Sequence, residues 1–268
     1  MPENMNARRR SFVPAQNEDE RRLMHRVEEL CRIAQSRSMP RYTGFLSDRE
    51  QALAVAAMNR AGCTFGRFWG GFDSAERKVL CLEPPDTWQE EPVCAIKLCV
   101  NMAAGEEPPA HRDCLGALLG LGIERRSLGD LVLDADTPGG VYLFALEEMA
   151  DFILRNLTEI GRRSARAERC DALPDAIRQE PERVLCEATV PSLRADTVLA
   201  AMMHTSRGIA AQRIEAGKVE INHLPLRTAH EAVYTEDVFT VRGTGRYRLA
   251  AIGGKSRKDR IFISYYQY

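Results

Sequence analysis

Apolar residues recur at helical spacing from Leu23 through Val27 and Leu30 to Ala34, with charged residues between them. That stripe predicts an amphipathic helix over residues 18–36. A loop around Pro40 follows. Ser47 with Glu50 three positions on is a capping-box signature, and the helix it opens runs to Ala61 and stops at Gly62. An aromatic strand from Cys63 to Trp69, a Gly70-Gly71 turn and a strand over 77–82 read as a hairpin. Pro84-Pro85-Asp86 punctuates the chain, so a boundary is expected near 88. Residues 1–17 show no periodicity and are expected to be a disordered tail.

The next segment alternates. Strand patterns fall at 93–100, 128–133 and 141–145, and helix patterns at 111–121 and 147–160, closed by Gly122 and Gly161. An edge strand is expected after Gly161. The order βαββαβ predicts a ferredoxin-like (RRM-like) domain over 89–182, with helices layered on an antiparallel sheet. RNA-recognition domains share that fold with many unrelated proteins. The stacking aromatics of such domains are not evident in Ile96-Lys97-Leu98 or in Val141-Tyr142-Leu143-Phe144. A polar stretch from Asp171 to Glu182 leads to the last domain, 183–268. There a lead-in strand over 184–190 precedes two short helices, one opening near Leu193 and ending near His204, the other capped by Ser206 and stopped by Gly217. Strands at 218–222 and 237–243 follow. The expected class is α+β, with a helical and hairpin region over 18–88 ahead of these two domains.

Charge changes this picture more than composition does. The chain carries a net charge of -1, but residues 194–268 hold twelve Lys and Arg against seven Asp and Glu, a net of +5 that leaves -6 elsewhere. A basic end on an acidic body points to a localised surface for a polyanion. No apolar run reaches the roughly 18 residues that span a bilayer, and the polar start MPENMNARRR has no apolar segment behind it. A cytoplasmic protein without a membrane partner is expected. None of the eight cysteines forms a Cys-x-x-Cys pair and several lie in apolar runs, so they read as buried thiols and not as metal ligands.

Three short motifs imitate catalytic ones. His111-Arg112-Asp113 lacks the glycine-rich loop and Asp-Phe-Gly of a kinase. Gly253-Gly254-Lys255-Ser256 has Leu249 where a phosphate-binding loop needs its first glycine, and a strand pattern follows it where that loop needs a helix. It reads as a basic hairpin turn. Asn156-Leu157-Thr158 matches a glycosylation acceptor but falls on a helix. No catalytic residue, cofactor or small-molecule substrate is expected.

Arg194-x-Asp196, Ser206-Arg207, Ala211-x-Arg213-Ile214, Gly217-Lys218-Val219-x-Ile221-Asn222 and the later Asp237 with Val241-Arg242 resemble the alpha-L RNA-binding motif of ribosomal protein uS4. The landmarks fall in order across about 50 residues. The resemblance implies that Ser206, Arg207, Arg213, Lys218 and Arg227 face RNA phosphates, with Arg194, Asn222 and Arg242 in the same surface. Ala195 stands where that family usually has leucine. His223 stands where it often has glycine, so a turn unlike the family's is expected. Further upstream, the stretch from Gly70 to Lys78, the stretch from His111 to Arg125 and Gly129-Asp130-Leu131 resemble the YlmH family, which joins a ferredoxin-like RNA-binding domain to this motif. The resemblance implies binding to rRNA and peptidyl-tRNA on the large ribosomal subunit during rescue of stalled translation; a monomer is expected. His111, Arg112 and Arg125, with Arg126, are the candidate second contact. The alternative is an RNA-modifying enzyme or accessory factor, but neither a cofactor-binding glycine loop nor a catalytic aspartate in its characteristic context is present.

Overall fold

The computed structural model describes residues 14–88, 90–103, 105–178 and 184–268. They fall into two compact units, one within 11–180 and one within 181–268. As expected, the class is mixed α and β, with antiparallel sheets. Among the described residues no helix is long and apolar enough to cross a membrane.

The first unit opens with α1 (Glu18–Arg37). Most of the expected tail, 1–13, lies outside the described residues, but its end belongs to the fold. Asn17 caps α1 by accepting from the Glu20 N–H at 2.9 Å, and Ala15 packs on the core. β1 (Arg41–Leu46) follows, then α2 (Asp48–Ala61), β2 (Gly66–Trp69) and β3 (Lys78–Leu82). The Ser47–Glu50 capping box forms as its signature predicts. β1 occupies ground that reads as a loop after Pro40. Its ladder to β3 slips between Tyr42 and Phe45, and such an irregularity breaks the period of two by which a strand is recognised. The three strands order as β1-β3-β2.

β4 (Val93–Val100), α3 (His111–Gly120), β5 (Leu128–Leu133), β6 (Gly140–Leu146), α4 (Glu147–Asn156), the two-residue β7 (Glu159–Ile160) and β8 (Arg163–Arg169) follow the alternation read from the sequence, with one exception. The helix expected over 147–160 stops at Asn156, where Leu157 turns extended, and Glu159–Ile160 pair with Arg163–Ser164 as a hairpin. A short α5 (Asp175–Arg178) ends the unit. The sheet order is β5-β6-β4-β8-β7. Its residues alternate between two cores. Val141, Leu143 and Ala145 of β6 pack with Cys114 and Leu118 of α3 and with Ala150 and Ile153 of α4. Tyr142 and Phe144, on the other face, pack with Phe45, Phe72, Val79 and Cys81. β3 divides likewise, giving Leu80 and Leu82 to the α1–α2 core. The unit is therefore four layers, helices–sheet–sheet–helices; the second face of the five-stranded sheet is covered at β6 and left exposed along β8, at Ser164, Arg166 and Glu168.

Polar contacts lock the two sheets together. The Asp130 carboxylate accepts the backbone N–H groups of Glu76 at 2.6 Å and Arg77 at 3.2 Å. The half-buried Arg77 guanidinium donates to the carbonyls of Leu128 at 3.1 Å and Phe45 at 3.0 Å. Glycines allow the close approach: a Cβ on Gly71 would stand 2.3 Å from the Phe144 ring, and one on Gly129 2.5 Å from the Phe45 ring.

The second unit holds β9 (Leu185–Val190), α6 (Ala195–Met202), α7 (Arg207–Glu215), β10 (Val219–Ile221), β11 (Leu224–Pro225), β12 (Val238–Val241), β13 (Gly245–Lys255) and β14 (Ile261–Gln267). One antiparallel sheet runs β11-β10-β12-β13-β14-β9. Both helices pack on one face of it, over a core that includes Val198, Leu199, Ile214, Phe239, Leu249 and Tyr265.

Candidate nucleic-acid interface

Arg194 is the N-cap residue of α6, and the Asp196 carboxylate in its first turn is 2% exposed. A buried charge is tolerated only when paired and hydrogen-bonded. Asp196 accepts from Arg207 Nε at 2.8 Å, Arg194 Nη2 at 3.0 Å and Thr197 Oγ1 at 3.1 Å. Burial pushes its carboxyl up, but the donors from Arg207, Arg194 and Thr197 together more than reverse this, and it rests below its ordinary value. His230 also bonds the Arg194 guanidinium. The carboxylate thus fixes two arginines from consecutive helices. The exposed Arg207 engages it through Nε, and its two Nη groups make no hydrogen bond among the described residues. Ser206 caps α7 by accepting from the Ile209 N–H at 3.3 Å, so its hydroxyl serves the helix.

Past α7, three strands bring cations side by side. The Arg242 N–H donates to the Lys218 carbonyl at 2.9 Å, next to the Val219–Val241 pair of the β10–β12 ladder. On the other side of β10, the Leu226 N–H donates to the Val219 carbonyl at 2.9 Å, which carries the β10–β11 register on to Lys218 and Arg227. Val219, Leu226 and Val241 are buried under the helices, and their neighbours Lys218, Arg227 and Arg242 are exposed. The side chains of these three cations make no hydrogen bond or ion pair among the described residues. Strands lie about 4.8 Å apart, so three unneutralised charges stand in one row. Like charges directly across a ladder cost stability, and a polyanion removes that cost. Arg213 joins the same end: its carbonyl accepts from the Lys218 N–H at 3.0 Å and its guanidinium donates to Thr244 Oγ1 at 2.5 Å.

Asn222 departs from its expected role. Its amide donates to Asp237 Oδ1 at 2.7 Å and its oxygen accepts from the Val238 N–H at 2.9 Å, so the side chain ties β10 to β12 and does not face outward. The turn expected to differ keeps a glycine-like backbone. Asn222 and His223 hold φ of 51° and 65°, the left-handed region a tight hairpin turn requires.

The first unit supplies less than expected. His111 and Arg112 begin α3 and are exposed. Asp113 serves the helix start by accepting from the Ala110 N–H at 3.2 Å. Arg125 is not part of an outward cluster. Its guanidinium donates to the carbonyls of Leu128 at 2.5 Å and Gly129 at 3.3 Å, and burial lowers it from its ordinary value. Arg126 is exposed beside Glu124. Sequence reasoning missed Asp196 as the organiser of the arginines, although Arg194-x-Asp196 was among the landmarks, and missed His230 and Thr244, which no motif marks. Among the described residues no group of three or more His, Cys, Asp or Glu is placed to hold a metal ion. Burial raises the thiols of Cys81 to about 12 and of Cys94 and Cys114 to about 11, far from thiolate reactivity.

Three similarities to known proteins were found. Residues 108–173, from just before α3 to just past β8, match the family described as "Putative RNA-binding domain in YlmH". The chain is 32% identical over 248 residues to a Bacillus subtilis (strain 168) protein named ribosome-associated protein quality control protein P2, covering 92% of this chain and 95% of that one. A Streptococcus pneumoniae structure described as cell division protein ylmH superposes with a TM-score of 0.49 at 18% identity, over 59% of this chain and 95% of that chain.

Proposed function

The chain belongs to the YlmH family, and from that membership and the cation row we propose that it is an RNA-binding factor of the ribosome, acting where translation has stalled. The observation that carries this reading is the alignment of Lys218, Arg227 and Arg242 just beyond the ends of three neighbouring strands, with Arg213 beside them and Arg207 held by Asp196. Fixed cations that lack internal partners displace the counterions of a phosphate backbone without first breaking bonds of their own. The order and roles of these residues support a uS4-like alpha-L module in residues 183–268. The name of the Bacillus subtilis relative supports the ribosomal setting.

The finer placement is a large subunit that still holds peptidyl-tRNA, with rRNA and tRNA as the ligands and a monomer as the binding form. His111 and Arg112 at the start of α3 are the second contact, inside the region that matches the RNA-binding family. Two weak contacts on one chain raise the effective concentration of each and select a composite surface. The chain acts by occupancy and not by turnover. The test is co-sedimentation of the full chain with ribosomal particles from cells in which translation has been stalled. Recovery with large subunits and tRNA, abolished by Lys218→Ala with Arg242→Ala, is the expected result. Recovery with small subunits only, or release of a modified nucleoside from bound RNA, would overturn the placement or the binding-only reading respectively.

A further inference from the structure

Among the described residues, the six-stranded sheet of the second unit has helices on one face, α6 and α7, and its other face carries aromatic and basic residues in register with the cation row. On β14 and the residue after it, Phe262, Ser264, Tyr266 and Tyr268 alternate with the buried Ile263 and Tyr265. Tyr266 sits opposite Arg248 of β13 on one side and Leu185 of β9 on the other. The Tyr268 N–H donates to the Arg246 carbonyl at 3.0 Å, and the Arg246 guanidinium lies 5.5 Å from the centre of the Tyr268 ring. Arg246 in turn sits opposite Thr240 of β12, two residues along that strand from Arg242. Phe262 is 48% exposed, Tyr268 46% and Leu185 49%. Glu220 and Glu187 occupy outward positions too, but the row at the β10 end, with Arg246 beside it, leaves that side of the face basic.

We propose that this sheet face, opposite α6 and α7, binds unpaired RNA, with the strand's phosphates on Lys218, Arg242 and Arg246 and its bases stacked on Tyr268 and Tyr266. The proposal rests on the RNA-binding reading above and adds a ligand class, single-stranded nucleotides, and a surface separate from the helix starts. Two residues along a strand cover about 7 Å, so the two tyrosines offer successive platforms to bases splayed out of a stack. Charge complementarity favours RNA over a protein partner. An aromatic face continuous with the Lys218–Arg242 row suits a ligand that alternates planar apolar groups with anions, and any base stacks whatever its identity.

The experiment uses the full chain and two labelled probes, a twelve-nucleotide oligouridylate and a twelve-base-pair RNA duplex, at one fixed salt. Tyr266→Leu with Tyr268→Leu keeps apolar bulk and removes the π faces. It should weaken oligouridylate binding about tenfold or more and leave duplex binding within about twofold. Tyr266→Phe with Tyr268→Phe should bind both probes as the parent does. Unchanged oligouridylate affinity in the leucine variant, with its thermal unfolding intact, overturns the proposal. So does a variant that loses ribosome co-sedimentation while keeping oligouridylate affinity, because the face would then dock protein. Lys218→Ala with Arg242→Ala separates the two readings. A loss on both probes upholds RNA binding even where the tyrosines prove silent, and no loss on either overturns RNA binding itself.

Discussion

The five-stranded sheet of the first unit and the six-stranded sheet of the second are both antiparallel and both carry two helices on one face, but they part on the other. In the first, Tyr142 and Phe144 are buried against Phe45, Phe72 and Val79. In the second, Tyr266 and Tyr268 line a face that carries no helix among the described residues. A sheet layered with helices is therefore no guide to where nucleic acid binds. The region that matches an RNA-binding family has spent its sheet aromatics on packing, and the basic residues it exposes include His111 and Arg112 at the start of α3, Arg162 just before β8 and Arg166 on it. The region with the stronger basic charge keeps both a cation row and a ring-bearing face.

The largest effect that tests this contrast is at Phe144. Phe144→Ala empties a site at the join of two sheets and should cost about 3–5 kcal/mol, read by urea unfolding, whereas Phe262→Ala on the open face should stay within about 0.5 kcal/mol. Equal losses would mean that the second face is packed too. Next is Asp196→Ala, expected to cost about 1–2 kcal/mol, the desolvation of the buried Thr197 hydroxyl and the loss of two charge-assisted bonds, reduced because Arg207 and Arg194 reach solvent. RNA affinity should fall with it as Arg207 loses its anchor. A variant that kept full affinity would show that Arg207 needs no positioning.

Acid should separate the units in a defined direction. Asp134 is pushed up by burial, but Lys97 at 2.7 Å and the Asp136 N–H outweigh that and hold it at about 2. Asp196 is also depressed. A carboxyl lower in the folded state than in the unfolded chain, where aspartate titrates near about 3.9, adds stability that is complete above that value and lost as pH falls through the folded one. Below about pH 4 both units should therefore soften, and Asp134→Asn should flatten the acid limb of the first unit alone, followed by thermal unfolding between pH 5 and 2.5. Smaller still is Lys218→Ala. One lost phosphate contact should lower RNA affinity several-fold and reduce the slope of log affinity against log salt by about 0.7–0.9. The smallest contrast is between Arg112→Ala, expected to lower RNA affinity without a change in stability, and Arg125→Ala, expected to do the reverse because its donors go to Leu128 and Gly129.

How far the sequence foretold this depends on whether a residue's role is local. The caps at Ser47 and Ser206 and the stops at Gly62 and Gly217 follow from short-range chemistry and stand where they were expected. The βαββαβ alternation was equally legible because each element keeps its own period. β1 was not, since its ladder slips where Gly44 interrupts the alternation. The covering of Tyr142 and Phe144 was invisible, because their partners Phe45 and Phe72 lie about 70–100 positions upstream and no pattern joins them. At the candidate interface, Lys218 and Arg242 were named from landmarks, but that they share a row with Arg227 follows only from register. Arg125 and Asn222 misled for a common reason: a polar residue near a basic surface looks available until its partners, backbone carbonyls for one and Asp237 for the other, are known.

Gly71 and Gly129 have a consequence for how this molecule can be rebuilt. Each is a notch into which a phenylalanine of the opposite sheet is set, Phe144 in one and Phe45 in the other. A chimera that took residues 18–88 from one relative and 89–178 from another would have to match both notches and both rings at once. A larger residue at either glycine would wedge the sheets apart, and a smaller ring would leave a void. The first unit is therefore exchanged whole, as one inherited block, and its inner seam should tolerate change only when both sides change together.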